Sequence, residues 1–469
     1  MARLPERGET YLSTVRGMCR ACRRIVPARV FLREGRVFQE SLCPDHPGAS
    51  ALIAEDGHWY LGNVLGAPGP DRSPLKGARP SAKGCPHDCG PCAWHATPCQ
   101  LPVVSVTNAC ELECPICFTY NRNDRVWYMQ RSEMRRTVDA LLEAAGSVDL
   151  INITGGEPTM HPDLLGILDE CRRPGIGRVT MNSNGVRLAA DPDLCARLAE
   201  RNVCVILSLH TLDPATSVRI HGRDLVASKL RALDNLERAG VRVTILNVLV
   251  RGENERELGA FFEMLRTRPS VLSLTIQTMT YTGQGGGRFP DRRQIPADEA
   301  ARLVSEGSRG ALDASDFLPR PSAHPLCYAV AYLLKSGDGL VPFTRFADRA
   351  QISERLADSY LIRLGPADDF LRRAIDAAFA RGETALLAPF RSLLERLYPR
   401  GRVLSDFERQ RVAEESVRTV YVHAHMDEDT FDCARAMRCP DQVPAADGTF
   451  VPACTYNLFY RMKDERFYP

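Results

Sequence analysis

The chain has little net charge, no long apolar run and no export signal. Its 60 Lys and Arg residues against 58 Asp and Glu residues leave a formal charge of +2, with both signs mixed throughout. This balance gives no general electrostatic case for a nucleic-acid partner. No apolar stretch approaches the roughly 18 residues of a transmembrane helix, which leaves a peripheral membrane contact open. The start of the chain lacks a signal-peptide core, so we expect a cytoplasmic protein.

Cysteine, by contrast, is abundant. The 469 residues include 17 cysteines, far above ordinary usage. Many thiols without an export signal argue for a reducing compartment and for metal ligation rather than disulfides.

One group of cysteines follows a β-type apolar run directly. Cys110, Cys114 and Cys117 have the spacing C-x3-C-x2-C. A 4Fe–4S cluster takes four thiolates, one per iron. A triplet with no fourth cysteine nearby therefore leaves one iron open to another ligand. The alternatives are a zinc knuckle or three unrelated buried thiols.

A second motif, Gly155-Gly156-Glu157-Pro158, ends the next predicted strand. Two glycines let a backbone approach a ligand closely, and Glu157 offers a carboxylate to an ammonium group. The alternative is an ordinary strand-to-helix turn.

Two further cysteine groups lie before these motifs. Paired close spacings supply a tetrahedral set for zinc or a single iron, with free thiols as the alternative; the set is Cys19, Cys22, Cys43 and His46. A Gly- and Pro-rich linker carries C-x3-C-x2-C-x6-C, which predicts an auxiliary 4Fe–4S cluster, with zinc as the competitor; its members are Cys85, Cys89, Cys92 and Cys99.

The tail contains a discontinuous set that predicts a second auxiliary cluster. Its members are Cys327, Cys433, Cys439 and Cys454. Spacing alone does not join residue 327 to the others, but a hairpin-like stretch at 445–450 lies between the last two. Cys171, Cys195 and Cys204 occupy helix or strand positions and are predicted to be buried thiols.

Between the cysteine-rich ends, short apolar runs alternate with helical periods. Six strands are predicted at 103–107, 148–154, 178–183, 203–210, 241–250 and 271–280. The intervening helices are predicted at 132–145, 161–172, 191–201, 224–239 and 254–267. This alternation predicts parallel strands with right-handed crossovers. Residues 350–420 are predicted to be helical, and the glycine run 283–288 is too loose for a phosphate loop. The expected domains are 1–60, 61–100, 101–290 and 291–469.

The two central motifs and the order of the cysteine sets resemble the radical S-adenosylmethionine (SAM) superfamily. The similar branch includes archaeal tetraether lipid synthases and a methanogen hydroxymethylpterin methylase. The resemblance covers nearly the whole chain except 350–420. It implies an α/β fold: a partial (βα)6 radical SAM barrel with an N-terminal rubredoxin-like or zinc-ribbon unit and a C-terminal cysteine-rich cluster unit. It also implies catalytic groups at the carboxyl ends of the strands.

The resemblance further implies cofactors: SAM, three 4Fe–4S clusters, and one mononuclear Zn or Fe. The open iron held by Cys110, Cys114 and Cys117 would chelate SAM, and Gly155 to Pro158 would hold its amino group. Weaker expectations place Ser183, Asn184, Ser208 and Asn247 near SAM and Ile116 on adenine. His210 stands where relatives commonly carry Asp-Gly, which puts substrate contacts there in doubt.

Three functions follow as hypotheses. The first is radical-based carbon–carbon coupling of lipid chains, with membrane association; the second is C-methylation of a pterin or another small heterocycle. Both need a small-molecule or lipid substrate and an electron donor such as ferredoxin or flavodoxin. The third is a zinc-ribbon binding protein without catalysis. Lipid chains need a long apolar tunnel, whereas a pterin needs a compact polar pocket.

Overall fold

The N-terminal residues of this computed structural model form a separate antiparallel sheet. The structure describes residues 8–66, 75, 78–90, 92–119, 123–289, 291–357, 359–361 and 364–467. The strands, in sheet order, are Glu9–Met18 (β1), Ile25–Arg33 (β2), Arg36–Ser41 (β3) and Ser50–Ala54 (β4). Glu34 and Gly35 join β2 to β3 with positive φ angles of 52° and 76°, the backbone of a tight two-residue hairpin.

Six parallel strands form the centre of the large sheet, and each coincides with a predicted strand. They are Leu101–Ser105 (β5), Ile151–Thr154 (β6), Val179–Ser183 (β7), Cys204–Ser208 (β8), Val243–Leu249 (β9) and Val271–Thr278 (β10). Each pairs in parallel with the next. Apolar residues of these strands and of the crossover helices form the main core. The partial (βα)6 barrel is therefore confirmed.

Five of the seven crossover helices coincide with predicted helices, whereas Val186–Ala190 and Pro214–His221 were not predicted. The seven are Arg131–Ala145, Leu164–Cys171, Val186–Ala190, Pro192–Glu200, Pro214–His221, Val226–Arg238 and Leu258–Thr267. Asp191 caps the fourth of these, because its Oδ1 accepts a hydrogen bond of 2.9 Å from the Leu194 amide. Acidic caps of this kind satisfy the unpaired amides of a first turn.

The tail adds further strands, of which the sequence indicated only the hairpin around 445–450, now seen as an antiparallel pair. They are Leu318–Pro319 (β11), Tyr328–Ser336 (β12), Gly339–Pro342 (β13), Val417–His423 (β14), Asp441–Pro444 (β15) and Phe450–Pro452 (β16). β14 pairs in parallel with β10, and β15 pairs in parallel with β5. Both edges of the six-stranded unit are thus extended by the tail.

The remaining helices include those expected in the charged stretch. Their bounds are Gly57–Tyr60, Gly283–Arg288, Ala297–Gly307, Arg349–Ile352, Leu364–Ala380, Thr384–Leu397, Asp406–Ser416, Cys433–Met437 and Ala453–Thr455. None of the helices in the described ranges combines the length and apolar character needed to cross a bilayer.

Polar contacts draw the two extended edges together. His423 ends β14, and its Nε2 lies 3.5 Å from Oδ2 of Asp441, the first residue of β15. The Asp441 carboxylate also accepts hydrogen bonds from the hydroxyls of Tyr328 and Tyr360. These contacts join strands that occupy opposite sides of the open barrel.

Ion pairs line the lumen near the amino-terminal ends of β7 and β9. Arg178 precedes β7 and Arg242 precedes β9, and both guanidinium groups pair with Glu414, the latter at 2.6 Å. All three residues line the lumen. Glu414 is buried, so this pairing neutralises charge at the amino-terminal end of the strands.

Candidate active site

The three cysteines of the C-x3-C-x2-C motif all line one cavity of about 410 Å³. They lie on the loop that follows β5. The loop is held at Cys110, whose amide donates to Asn123 Oδ1 (3.1 Å) and whose carbonyl accepts from Asn123 Nδ2 (2.8 Å). Three thiols directed at one space fit a cluster with an open iron.

The two glycines after β6 are required by contact with this same loop. The Gly156 amide donates to the Thr107 carbonyl (2.8 Å), and the Glu157 amide donates to the Ala109 carbonyl (2.7 Å). A Cβ at Gly155 would lie 2.3 Å from the Thr107 oxygen, and one at Gly156 would lie 2.1 Å from the Ala109 oxygen. The close approach is therefore made to the chain's own backbone, which braces the cysteine loop.

Glu157 is 1 % exposed and joins three segments. Its Oε1 accepts from the amide and hydroxyl of Thr159 and from Ser183 Oγ, and its Oε2 accepts from the Asn184 amide at 2.7 Å. Burial raises the pKa of Glu157, and these donors act against that rise. Oε2 accepts one of these bonds, so it retains acceptor capacity for an ammonium group.

Lys229 is a site residue that sequence reasoning missed. Its buried ammonium group lines the cavity and donates to the carbonyls of Asn184 (2.9 Å) and Ser208 (2.5 Å). Burial lowers its pKa to about 8. The signal was available, because Lys229 stands at helical spacing from Val226, Leu233 and Leu236 on the apolar side of a predicted helix.

Glu111 faces the same region from the cysteine loop. Its Oε1 accepts from Asn184 Nδ2 at 3.2 Å, and its buried Oε2 has no hydrogen-bond partner among the described residues. A carboxylate oxygen left this way is costly unless a ligand satisfies it. Glu111 and Lys229 thus offer opposite charges to a bound α-amino acid group.

Two stacked histidines close one side of the cavity. The rings of His210 and His221 lie 5.0 Å apart, and His221 Nδ1 lies 3.6 Å from Cys114 Sγ. Burial lowers the pKa of His210 to about 3 and also lowers the pKa of His221. Both are therefore neutral, and His221 Nε2 is buried without a partner among the described residues.

The other predicted SAM contacts divide into two groups. Ser183, Asn184, Ser208 and Ile116 line the cavity, and Ile116 also packs against Ile220 and Met279. Pro158 begins a tight turn. Asn247 is fully buried and donates to the Leu209 and His210 carbonyls, whereas its strand neighbours face the cavity. All remain predictions as SAM contacts.

The N-terminal set forms a compact metal site. The ligand atoms of Cys19, Cys22, Cys43 and His46 all lie within 4.8 Å of one another. Cys22 Sγ lies 3.9 Å from Cys43 Sγ, and His46 Nδ1 lies 3.4 Å from Cys43 Sγ. Tetrahedral zinc, with Zn–S bonds of about 2.3 Å, requires separations of about 3.8 Å. These residues fit a single Zn or Fe ion.

The linker and tail cysteines lie near each other, but no three of their sulfur atoms are as close together as the ligand atoms of the N-terminal set. Among the described residues, no other three such ligand atoms lie within 4.8 Å of one another. Cys433 contacts Cys85, with its Sγ 3.5 Å from the Cys85 carbonyl oxygen. Cys99 and Cys439 instead lie beside Asp441, which contributes to raising the pKa of both after burial, the larger cause. A single tetrahedral ion does not fit these wider sets.

The tail also reaches the cysteine loop. His425 Nδ1 lies 3.4 Å from Cys454 Sγ, and its ring stacks on Phe118 at 5.7 Å. The glycine-rich helix packs here too, because the Gly285 amide donates to the Cys117 carbonyl at 2.9 Å. A Cβ at Gly283 would lie 2.4 Å from Phe118 backbone atoms. The glycine run thus permits close packing on the loop.

Comparisons with known proteins assign these segments. Residues 104–265 match the profile described as "Radical SAM superfamily", and residues 11–55 match the "HMPTM N-terminal zinc ribbon domain". The 7,8-dihydro-6-hydroxymethylpterin dimethyltransferase of Methanocaldococcus jannaschii is 24 % identical across 96 % of this chain and 94 % of its own length.

Two further similarities cover less. The GTP 3',8-cyclase of Tolumonas auensis is 32 % identical over 44 % of this chain and 60 % of its own length. The crystal structure of SuiB from Streptococcus suis bound to S-adenosylmethionine superposes with a TM-score of 0.38 and 20 % identity, over 45 % of this chain and 47 % of that chain. The chain therefore spans about three fifths and about half of these two proteins, respectively.

Proposed function

We propose that the chain, a radical SAM enzyme with an N-terminal zinc ribbon, forms a carbon–carbon bond on a compact heterocycle of the pterin class, as a C-methylase that takes the one-carbon unit from a separate donor. The observation that carries this proposal is the end-to-end similarity to a pterin dimethyltransferase. The family match disfavours the hypothesis of a non-catalytic ribbon protein. Between the two catalytic hypotheses, the similarity to the pterin dimethyltransferase favours a pterin substrate over the coupling of lipid chains.

Polar side chains on the lumen strands, set in a lining that is mostly apolar, offer partners to a polar substrate. Alternate residues of the parallel strands face inward, and many carry amides or hydroxyls: Asn152, Thr180, Asn182, Thr244, Ser273, Thr275, Gln277 and Thr419. Asn182 Oδ1 is buried without a hydrogen-bond partner among the described residues. Such groups orient a small heterocycle, whereas alkyl chains make no use of them.

Asp441 is the group that we propose recognises the heterocycle. It is buried, lines the cavity, and burial raises its pKa. The hydroxyls of Tyr328 and Tyr360 donate to it and fix its orientation. The amidine edge of a 2-aminopyrimidinone ring presents two N–H donors, which match the two oxygens of a carboxylate.

On the loop that follows β5, Cys110, Cys114 and Cys117 would hold the SAM-binding 4Fe–4S cluster. Glu157 and Glu111 would accept from the SAM ammonium group, and Lys229 would neutralise its carboxylate. When bound, the cluster and SAM would supply radical chemistry: reductive cleavage of SAM to a 5'-deoxyadenosyl radical, which abstracts hydrogen from the substrate. The chain contributes enclosure, since the Glu414 ion pairs line one end of the lumen and the tail covers the other.

The metal content follows from the proposed ligands. Three clusters at four irons each give about 12 irons per chain, with one more ion at the N-terminal site. An electron donor such as ferredoxin or flavodoxin and a peripheral membrane contact remain predictions. Anaerobic reconstitution with iron and sulfide analysis tests the count, and about four irons would reject the auxiliary clusters.

Substrate class is tested with reductant, SAM and either 7,8-dihydro-6-hydroxymethylpterin or an alkyl-chain lipid. We expect the pterin to stimulate 5'-deoxyadenosine release, and Asp441→Asn to weaken that stimulation. Asp447→Asn is the matched control, because Asp447 accepts only within the exposed turn before β16. Stimulation by the lipid alone would overturn the proposal, and stimulation by neither would reject both substrates.

A further inference from the structure

We propose that the two auxiliary clusters exchange one ligand relative to the order of cysteines in the chain. Cys433 joins the linker set, and Cys99 joins the tail set. The resulting ligand groups are Cys85, Cys89, Cys92 and Cys433 for one cluster, and Cys99, Cys327, Cys439 and Cys454 for the other. This assignment rests on the proposed auxiliary clusters and specifies which thiols hold each.

The first half of the exchange follows from contacts at Cys433. Its Sγ lies 3.5 Å from the Cys85 carbonyl oxygen, and Cys85 Sγ lies 3.9 Å from the Cys433 carbonyl oxygen. Cys85 and Cys433 also pack in one buried cluster with Met18 and Phe431, and Cys89 and Cys92 follow Cys85 within seven residues. Cys433 therefore lies among the three linker thiols, although more than three hundred residues separate it from them in the sequence.

The second half follows from strand pairing. β5 and β15 run parallel, with Leu101 opposite Asp441. Cys99 and Cys439 each stand two residues before that pair. The amides of Gln100 and Leu101 both donate to the Pro440 carbonyl, at 3.0 and 3.1 Å. Since Pro440 follows Cys439 directly, Cys99 is held alongside it.

The residues just before Cys99 already contact the tail segments. The Ala96 amide donates to the Met437 carbonyl at 2.8 Å, and Thr97 Oγ1 donates to the Ser322 carbonyl at 2.7 Å. Both acceptors belong to segments that lead into Cys327 or Cys439. The chain thus leaves the linker site after Cys92.

The remaining tail thiols meet through residues 424–426. The Ala424 amide donates to the Cys327 carbonyl at 2.9 Å, and the Met426 amide lies 3.3 Å from Cys454 Sγ. The Arg435 guanidinium donates to Cys327 Sγ at 3.3 Å, and Arg435 belongs to the helix Cys433–Met437, which ends two residues before Cys439. Three tail cysteines therefore share one neighbourhood, and Cys99 is the fourth beside it.

Paired Ala variants separate the two groupings by iron content. Three thiolates hold a cluster, as in the C-x3-C-x2-C loop, whereas two do not. We expect Cys89→Ala/Cys433→Ala and Cys439→Ala/Cys99→Ala each to lose about four irons per chain. Cys89→Ala/Cys99→Ala and Cys439→Ala/Cys433→Ala should stay near the parent, because each cluster keeps three ligands. The reverse pattern would overturn the exchange.

Controls make each outcome interpretable. Cys171→Ala/Cys195→Ala removes two buried core thiols and should leave the iron content unchanged. A parent protein with about four irons would reject the auxiliary clusters themselves, which is a failure of the proposed function rather than of the grouping alone.

A second measurement does not depend on variant folding. The full-length chain, stripped of metal by a chelator, is treated with a short bifunctional thiol reagent and analysed by peptide mass spectrometry. We expect cross-links joining Cys85 to Cys433 and Cys99 to Cys439. Cross-links joining Cys85 to Cys99 and Cys433 to Cys454 would overturn the assignment.

Discussion

The N-terminal metal site and the cysteine loop of the barrel hold their thiols in different environments. The ribbon takes its ligands from two nearby loops, after β1 and after β3, and three of the four are only half-buried. The Arg24 side chain donates to Cys22 Sγ at 3.3 Å and is the main cause that lowers the pKa of that thiol. In the barrel, burial instead raises the pKa of Cys114 to about 12.

This difference separates a self-contained site from a dependent one. The ribbon's ligands are placed by local turns, and a cation favours the thiolate form of one of them, Cys22. Cys110 and Cys114 lie in a cavity where burial outweighs the groups that favour their thiolate forms, so a bound metal would be the main stabiliser of those forms. Their placement relies on distant segments, namely the Gly155–Glu157 turn, Asn123 and the glycine-rich helix. The comparison predicts that the barrel site is essential and sensitive, whereas the ribbon is separable.

The largest effect is expected from Cys110→Ala/Cys114→Ala/Cys117→Ala. Without these thiolates the proposed SAM-binding cluster would have no ligands, so we expect reductive cleavage of SAM to fall to background while the other proposed metal sites keep their iron. Anaerobic assay of 5'-deoxyadenosine with parallel iron analysis measures both. Cys171→Ala is the control, because that buried thiol donates to the Ile167 carbonyl within a helix. Retained 5'-deoxyadenosine formation would contradict the assignment of these three cysteines as ligands of the SAM-binding cluster.

Next in size is Glu414→Ala, which tests how far the barrel site depends on remote structure. The substitution leaves Arg178 and Arg242 without their shared carboxylate. Breaking a buried ion pair in this way costs about 3–5 kcal/mol. We expect that loss in the free energy of unfolding, measured by denaturant titration. Glu415→Ala is the control, since its pairs with Arg396 and Arg411 are exposed and should contribute less than about 1 kcal/mol. Equal effects would contradict the role of the lumen pairs.

Glu157→Ala is expected to have an intermediate effect on SAM. Loss of a charge-assisted hydrogen bond costs roughly 1.5–3 kcal/mol, or about one to two decades in the dissociation constant. Thr159→Val is the matched control, because it removes one donor to Oε1 and keeps the carboxylate. Binding is measured on the reconstituted protein by equilibrium titration. An unchanged dissociation constant in Glu157→Ala would show that Glu157 only joins the turn after β6 to the end of β7.

Sequence patterns predicted what is local and periodic. The six barrel strands and the ribbon ligands follow from short-range spacing, and Asp191 follows from the position of a helix cap. β14 was missed because Val417–His423 directly continues a charged helical stretch, and the predicted hairpin at 445–450 gave no sign that its first strand, β15, pairs with β5. Both become strands through pairing with β10 and β5, which is long-range information. The glycines before Glu157 were correctly singled out, but the backbone they approach is that of the cysteine loop.

The site residues that were missed share a cause. Lys229 and Glu414 carry charge at buried positions, which sequence periodicity assigns to solvent or to the core but not to a cavity. Cys433 was grouped with its chain neighbours, although its contact is with Cys85, and Asp441 has no motif at all. Glu414 and Asp441 become recognisable only when separate strands meet around the lumen, whereas Lys229 stood on the apolar side of a predicted helix and Cys433 was already a predicted metal ligand.

The smallest effect on catalysis is expected at the ribbon. Cys19→Ser/Cys22→Ser should remove the single N-terminal ion and change SAM cleavage by no more than about twofold, because the site supplies its own ligands and folding energy. The ribbon still contacts the tail, where Gln39 Nε2 donates to the Phe431 carbonyl (2.9 Å) and Arg20 pairs with Asp429 (3.0 Å). Hydrogen exchange should therefore rise in Glu9–Ala54 while protection of the barrel strands is kept. A large loss of 5'-deoxyadenosine formation, with all barrel iron retained, would show that the ribbon metal positions the tail over the cavity and that the two sites are not separable.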